Sequence, residues 1–230
     1  MLMPENSAPA KTFHELQTLG IIDSVNYFKN LKDILDKTVV TLSKSDLFLL
    51  KNNLSFKEIV LNNGIGIIIA DLIRILSSKN RLFVVGNGGS AAIAIHTLAD
   101  YANAGGLKTV DLMSPSLITC MANDYGYENV FAKPIEMFAE AGDMLFAISS
   151  SGMSPNILKA CELASAKKCR VITFSGFSPT NLLRILGHLN FYVPSTHYGF
   201  VELTHQIILH CILDLFVRNN VYEEARQTLG

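Results

Sequence analysis

Two polar side chains follow a glycine-rich turn in the stretch from Arg81 to Asp100, RLFVVGNGGSAAIAIHTLAD. An apolar run leads into the turn and a helical pattern follows it, so backbone N–H groups at the start of the helix can bind an anion. His96 and Asp100 are four residues apart and would share one face of that helix. The stretch therefore predicts a small-molecule site.

A second turn of similar design follows a later apolar run, in MLFAISSSGMSPNILKA. Hydroxyls and amides at the positive end of a helix can bind a phosphate monoester without Lys or Arg. Ordinary turn and helix-capping chemistry, for which serine is also favoured, is the alternative. One serine would suffice for a cap, whereas four surround the glycine here: Ser149, Ser150, Ser151 and Ser154. Their crowding favours a phosphate site.

The first turn also admits a dinucleotide site, because Gly86 to Ala91 satisfy a G-x-G-x-x-A spacing and Asp111 ends the next predicted strand. This unit lies in the middle of the chain, however, and Asn87 and Ser90 add polar side chains to the turn. The serine turn already offers a simpler anion site. We therefore favour a phosphate monoester over a dinucleotide.

A second group of candidate ligands, Glu202, His205 and His210, lies on the last predicted helix. With His96 and Asp100 it offers nitrogen and oxygen donors for Zn²⁺ or a similar ion. Glu202 and His210 would be about 12 Å apart and about 80° out of phase on a continuous helix, so they could share an ion only if His210 leans towards the N-terminus. Glu202 with His205 is a more compact alternative. A surface pair or a hydrogen-bonded core histidine is the alternative without a metal.

These turns need a scaffold, and apolar runs alternate with helical patterns from Leu82 onward. The alternation predicts right-handed βαβ units and a parallel sheet, whose carboxyl edge is where ligands bind. Strands are predicted near 82–85, 109–113, 144–148, 170–174 and 191–193. Helical spacing of apolar residues predicts two helices before the first strand, over 22–42 and 56–76, and a last helix over 201–219, whereas 43–54 gives no clear pattern.

Composition narrows the class of protein. Nineteen Lys and Arg against twenty Asp and Glu leave a net charge of −1, so nucleic acid and anionic lipid are not expected as main partners. Four cysteines without a CxxC pair predict free thiols in a reducing cytoplasm. No secretion signal or membrane span of about 20 apolar residues is evident. We expect a soluble cytoplasmic protein with one domain over 22–220, a mobile arm over 1–21 and a tail over 221–230.

Four motifs together resemble the sugar isomerase (SIS) domain family, and within it the phosphoheptose isomerases (sedoheptulose 7-phosphate isomerases). They are VVGNGGSA, MANDYGYENVF, GDMLFAISSSGMSPN, and HYG followed by the glutamate and histidine of the last helix. The resemblance implies an α/β fold of three layers, with a five-stranded parallel sheet flanked by helices in a flavodoxin-like, doubly wound order, and additional N-terminal helices. It also implies a homotetramer with sites at subunit interfaces and a cytoplasmic role in heptose biosynthesis for lipopolysaccharide or capsule.

The resemblance further implies which residues carry function. Substrate contacts fall on the first turn, on an Asn–Asp pair and on the serine turn: Asn87, Gly88, Gly89, Ser90, Asn123, Asp124, Ser149, Ser150, Ser151 and Ser154. The zinc positions are His96, Asp100, Glu202 and His210; Asp100 and His210 also serve as the acid/base pair, and Asp100 and Glu202 also contact substrate. The family has Glu where this chain has Asp100 and Gln where it has Glu202, although both residues present can still bind a metal.

The expected reaction is the isomerisation of sedoheptulose 7-phosphate to D-glycero-D-manno-heptose 7-phosphate by metal-assisted acid/base chemistry through an enediol. One alternative is a non-catalytic SIS protein that binds phosphosugars or acts through protein contacts. Another is an isomerase of a different phosphosugar, such as a hexose or pentose phosphate. The presence of both His96 and His210 favours an enzyme.

Overall fold

The computed structural model describes residues 23–42 and 57–218. Seven strands belong to one sheet: β1 (Val39–Leu42), β2 (Lys57–Val60), β3 (Arg81–Gly86), β4 (Lys108–Val110), β5 (Met144–Ser149), β6 (Arg170–Ser175) and β7 (Leu189–Tyr192). The helices of these residues are α1 (Ser24–Asp36), α2 (Leu61–Ser77), α3 (Gly89–Asn103), α4 (Pro115–Tyr125), α5 (Ala132–Phe138), α6 (Pro155–Ala166), α7 (Leu183–Leu186) and α8 (Tyr198–Arg218), with a 3₁₀ turn at Tyr127–Asn129.

The sheet has the order β2-β1-β7-β6-β5-β3-β4. The strands from β3 to β7 pair in parallel, which confirms the predicted five-stranded parallel sheet and its doubly wound order. The chain runs from β3 outward to β4 and then returns to β5 on the other side of β3, so the strand order reverses between β3 and β5. Ligands of such sheets bind at this point of reversal, outside the carboxyl ends of the strands.

The sequence prediction was wrong for the segments on either side of residues 43–56. The helix predicted over 22–42 ends at Asp36, and β1 follows it; the helix predicted over 56–76 begins only at Leu61, after β2. β1 pairs antiparallel with both β2 and β7, and this pairing buries Val40 and Leu42. The β-branched residues of this segment suit a strand, and tertiary pairing overrides the helical spacing. The sheet therefore gains two antiparallel strands.

Three sequence predictions lie outside the described residues. They are the arm over 1–21, the tail over 221–230, and the unassigned segment over 43–54.

The core lies on both faces of the sheet. On one face α2, α3 and α8 cover Phe146, Phe174 and Phe191, and on the other face α4 to α6 cover Phe83 and Leu145. Strands buried on both faces read as continuous apolar runs, which is why the sequence revealed them.

Helix α8 is long enough and apolar enough to cross a membrane by length and composition alone, a feature that the predicted absence of spans missed. Residues along its length are nevertheless buried in the core: Val201, Thr204, His205, Ile208, Leu209, Ile212, Leu213 and Phe216. The core helix of a soluble protein has this character, so the structure is consistent with the expected solubility.

A buried carboxylate fixes the start of the two strands that carry the site. Asp143 is fully buried and accepts hydrogen bonds from the Arg81 backbone N–H at 2.8 Å and the Glu140 N–H at 2.9 Å. The Arg81 guanidinium lies 3.0 Å from the same carboxylate. Because a buried charge must be paired and hydrogen-bonded, this arrangement holds β3 beside β5 in a single register.

Candidate functional site

The first turn leads from β3 into α3 through glycines. Gly88 has a φ of +54°, a left-handed conformation that glycine adopts without strain, and it forms the N-cap of α3. As a glycine, Gly88 has no side chain that could cap the helix. The first N–H groups of α3 are therefore directed out of the helix end and towards the space above the sheet.

Asn87 is held in place by a partner that the sequence analysis missed. Its side-chain amide donates to Oδ1 of Asn156 at 2.9 Å and accepts from Nδ2 of Asn156 at the same distance. The Tyr127 hydroxyl also donates to Oδ1 of Asn87, at 3.2 Å. Asn156 is buried and lies just after Ser154 and Pro155, in the motif that was otherwise interpreted through its serines. The two turns are thus joined by paired amides.

The serine turn connects β5 to α6. The hydroxyls of Ser149 and Ser154 lie 3.2 Å apart, and the N–H of Gly152 donates to Ser149 Oγ at 3.2 Å. Ser154 is the N-cap residue of α6, but its side chain makes no capping hydrogen bond. Ser150 Oγ is buried and has no hydrogen-bond partner among the described residues. Backbone N–H groups donate to Ser149 Oγ and, from Met153 at 3.2 Å, to Ser151 Oγ, so turn chemistry accounts in part for these two serines. It does not account for Ser150, whose hydroxyl can donate to a ligand.

A cavity of about 230 Å³ lies between the two turns. Its lining includes Tyr198 and Ile148, which the sequence analysis did not name as site residues, although Tyr198 belongs to the HYG motif. The predicted substrate residues in the lining are Asn87, Gly88, Gly89, Ser90, Ser149, Ser150, Ser151, Ser154 and Glu202. Larger cavities, of about 490 and 570 Å³, lie beside α5 and α6 and beside β1 and β2. We identify the site by its polar lining at the reversal of strand order, because volume alone does not indicate chemistry.

The predicted pair Asn123 and Asp124 lies apart from the cavity lining. Both residues are exposed near the end of α4, and Asn123 donates to Asp124 Oδ1 at 2.9 Å. Tyr127, which contacts Asn87, follows shortly after them. The pair is thus on the segment that borders the first turn without lining the cavity of this chain.

Three of the four predicted metal ligands come together where α3 packs against α8. Asp100 Oδ2 lies 2.9 Å from His96 Nε2 and 3.7 Å from His210 Nδ1. The candidate ligand atoms all lie within 4.8 Å of one another. The Tyr101 hydroxyl donates to the Leu209 carbonyl at 2.9 Å and so fixes the two helices beside the group. Two imidazoles and a carboxylate at this spacing fit zinc or a similar divalent ion.

The other two candidates on α8 lie elsewhere. The Glu202 carboxylate lies against Gly89 in the cavity lining and is not part of the three-residue group. His205 is fully buried, with Nε2 3.2 Å from the Ser175 carbonyl oxygen. Burial lowers the pKa of His205 to about 4, so its ring is neutral near pH 7. The structure therefore does not bring Glu202 and His205 together as a compact metal site, and His205 is a core residue.

Comparison with known proteins shows which family this chain resembles in sequence and in fold. The SIS domain matches residues 56–176. A phosphoheptose isomerase of Fusobacterium nucleatum is 33% identical over 162 residues, which are 66% of this chain and 83% of that protein. A phosphoheptose isomerase of Citrifermentans bemidjiense is 37% identical over 145 residues, 60% of this chain and 75% of that protein. The structure of a phosphoheptose isomerase from Francisella tularensis has a TM-score of 0.68 at 24% identity, covering 88% of this chain and 99% of that chain, which is a likeness of fold.

Proposed function

Because this chain belongs to the SIS domain family, and within it to the phosphoheptose isomerases, we propose that it converts sedoheptulose 7-phosphate to D-glycero-D-manno-heptose 7-phosphate. The observation that carries the proposal is the serine turn. It presents serine hydroxyls at the start of α6, in one cavity with the first turn, and the N-cap Ser154 does not cap the helix through its side chain. The hydroxyl of Ser150 is buried and has no hydrogen-bond partner within residues 23–42 and 57–218. This is the chemistry that recognises a phosphate monoester in a chain with no excess of cations.

The two turns would bind different parts of the substrate. The serine hydroxyls and the N-terminus of α6 hold the phosphate, and the first turn contacts the hydroxyls of the sugar. Asn87 is suited to this task because Asn156 and Tyr127 fix its amide, so little side-chain entropy is lost on binding. Holding the far end of the sugar fixes where its carbonyl lies, and such remote binding energy supports catalysis at the reacting carbons.

Conversion of a ketose to an aldose moves one proton from C1 to C2 and a second from O1 to O2, through an enediol. We assign these transfers to Asp100 and His210, whose side chains lie 3.7 Å apart. Asp100 removes the proton from C1 and returns it to C2 of the enediol, and His210 transfers the proton from O1 to O2. His96, 2.9 Å from Asp100, orients the carboxylate.

The same three residues, His96, Asp100 and His210, would hold a zinc ion. When bound there, the ion supplies stabilisation for the negative charge that develops on the carbonyl oxygen. Two observations support the predicted homotetramer with sites between subunits. The three-residue group is partly exposed, and the same two helices carry exposed apolar side chains: Ile95, Leu203 and Ile207. A partner copy would exclude water from this region. We also keep the predictions of a cytoplasmic location and a single SIS domain over 22–220.

Proton exchange tests the proposed reaction directly. The metal-loaded protein is incubated with sedoheptulose 7-phosphate in deuterated water, and deuterium at C1 and C2 is followed by NMR. We expect exchange and formation of the aldose with the wild type, and a loss of at least a hundredfold with Asp100→Asn. Asp214→Asn, an exposed change on α8, is the control and should exchange as the wild type does. Absence of exchange in the wild type would reject the proposed function.

A further inference from the structure

Glu202 has a position in the cavity that neither its predicted role as a metal ligand nor the serine turn explains. A Cβ atom added to Gly89 would stand 2.5 Å from both carboxylate oxygens of Glu202, so the carboxylate lies directly on the first residue of α3. This is the end of the helix at which N–H groups and the helix dipole favour an anion. The protein's own carboxylate therefore lies beside the anion position of the first turn. Among the described residues no N–H group of α3 donates a hydrogen bond to it, so it acts on this helix end through its charge.

The position of Glu202 matters because it sets the formal charge of the cavity lining. Among the described residues that line the cavity, Glu202 is the one with a formally charged side chain. The favourable electrostatics come from two helix N-termini, those of α3 and α6, each equivalent to roughly half a positive charge. Glu202 offsets the first, and the second remains open beside the serine hydroxyls. The cavity is thus suited to one external phosphate.

The two helix ends are close enough that one ligand could otherwise use both. They follow β3 and β5, which are adjacent strands with Gly86 opposite Ile148. Neighbouring strands lie about 4.8 Å apart. A diphosphate held at the serine turn would place its second phosphate against α3, where the G-x-G-x-x-A spacing resembles that of dinucleotide-binding turns.

We propose that Glu202 is a specificity-determining residue, which excludes diphosphate-bearing ligands from the cavity and restricts it to phosphate monoesters. Its carboxylate can also accept hydrogen bonds from the hydroxyl groups of a sugar, whereas its charge repels a second phosphate. This inference rests on the proposed function in one respect, namely that the serine turn holds the phosphate of the substrate.

Three probes test the inference: inorganic phosphate, inorganic pyrophosphate and sedoheptulose 7-phosphate, each titrated by calorimetry into the full-length protein. Glu202→Gln removes the charge and keeps the shape, and we expect it to tighten pyrophosphate binding at least tenfold while orthophosphate changes less than about threefold. Glu202→Asp keeps the charge and should retain the discrimination of the wild type. Asp214→Asn removes an exposed charge on the same helix and should change neither constant.

Pyrophosphate could also bind through a metal held by Asp100. The titrations are therefore repeated in proteins that carry Asp100→Asn, and Glu202→Gln should still tighten the binding of pyrophosphate there. The inference is overturned if Glu202→Gln leaves the ratio of the two constants unchanged, or if both probes tighten equally. Those results would leave the proposed function standing as long as the wild type binds sedoheptulose 7-phosphate. Failure of the wild type to bind that sugar phosphate would instead reject the proposed function, and this inference with it.

Discussion

Asn87 and Asn156 exchange two side-chain hydrogen bonds of 2.9 Å, so that each amide donates to the other. Asn87 belongs to the turn after β3 and Asn156 to the first turn of α6, after the serine turn. Asn156 also accepts from the N–H of Ile157 at 3.0 Å, which fixes the orientation of its amide. The pair thus couples the orientation of the first turn to that of the phosphate-binding turn.

Asn156→Ala should therefore impair both stability and catalysis. Loss of the paired amide leaves polar groups of Asn87 without their buried partner, at a cost of about 1–3 kcal/mol in the free energy of unfolding. We expect kcat/KM to fall by at least tenfold, because the first turn no longer holds Asn87 towards the substrate. Tyr127→Phe, which removes only the bond of 3.2 Å to Asn87, is the matched control and should have a smaller effect. Full activity of Asn156→Ala would contradict this role of the pair.

The phosphate-binding role of the serine turn predicts a selective loss of affinity. The double variant Ser151→Ala and Ser154→Ala removes two hydroxyls of the cavity lining. Hydrogen bonds to a charged group contribute about 1.5–3 kcal/mol each, so binding of sedoheptulose 7-phosphate should weaken at least tenfold. Binding of dephosphorylated sedoheptulose should change little. Calorimetric titration of both sugars measures the two losses of affinity, and Ser165→Ala, an exposed change in α6, is the control. Equal losses of affinity for the two sugars would show that the phosphate binds elsewhere.

If the three-residue group on α3 and α8 binds the metal, the affinity of the protein for Zn²⁺ should depend on Asp100. Asp100→Asn replaces the charged oxygen that lies between His96 and His210 with a neutral amide, and we expect the affinity for Zn²⁺ to fall by about tenfold or more. Competition with a chromophoric chelator measures this change. Asp214→Asn is the control, because it also removes one negative charge from the protein but lies outside the three-residue group. The assignment of the metal to these three residues is wrong if both variants bind Zn²⁺ as tightly as the wild type.

Because His205 is buried, we expect it to make the free energy of unfolding fall as the pH is lowered. Its pKa is lowered by burial from 6.5 to about 4, so the unfolded chain takes up the proton first as the pH falls. The contribution to stability is therefore lost between about pH 6.5 and pH 4, by about 3 kcal/mol in total, and changes no further below pH 4. His205→Gln can still donate to the Ser175 carbonyl and does not titrate. Urea unfolding from pH 7.5 to pH 4 should show a shallower decline for this variant; parallel curves would refute the prediction.

The sequence determined the scaffold from β3 to β7 and the chemistry of the two turns. The five parallel strands are buried on both faces, so their residues are apolar without interruption, and each is bounded by turn residues. The glycine-rich turn after β3 and the serine-rich turn after β5 are visible as local motifs, and helical periodicity places His96 and Asp100 on one face. These features depend on residues close together in the chain.

Tertiary structure decided what depends on distant residues. Pairing with β7 made a strand of Val39–Leu42, whose spacing also suits a helix. The packing of α8 on α3 brought His210 to Asp100, took Glu202 to Gly89, and buried His205 in the core, although all three lie on one helix. The orientation of a helix in its packed position sets which of its faces meets the site, and residues far away in the chain supply the partners that fix this orientation.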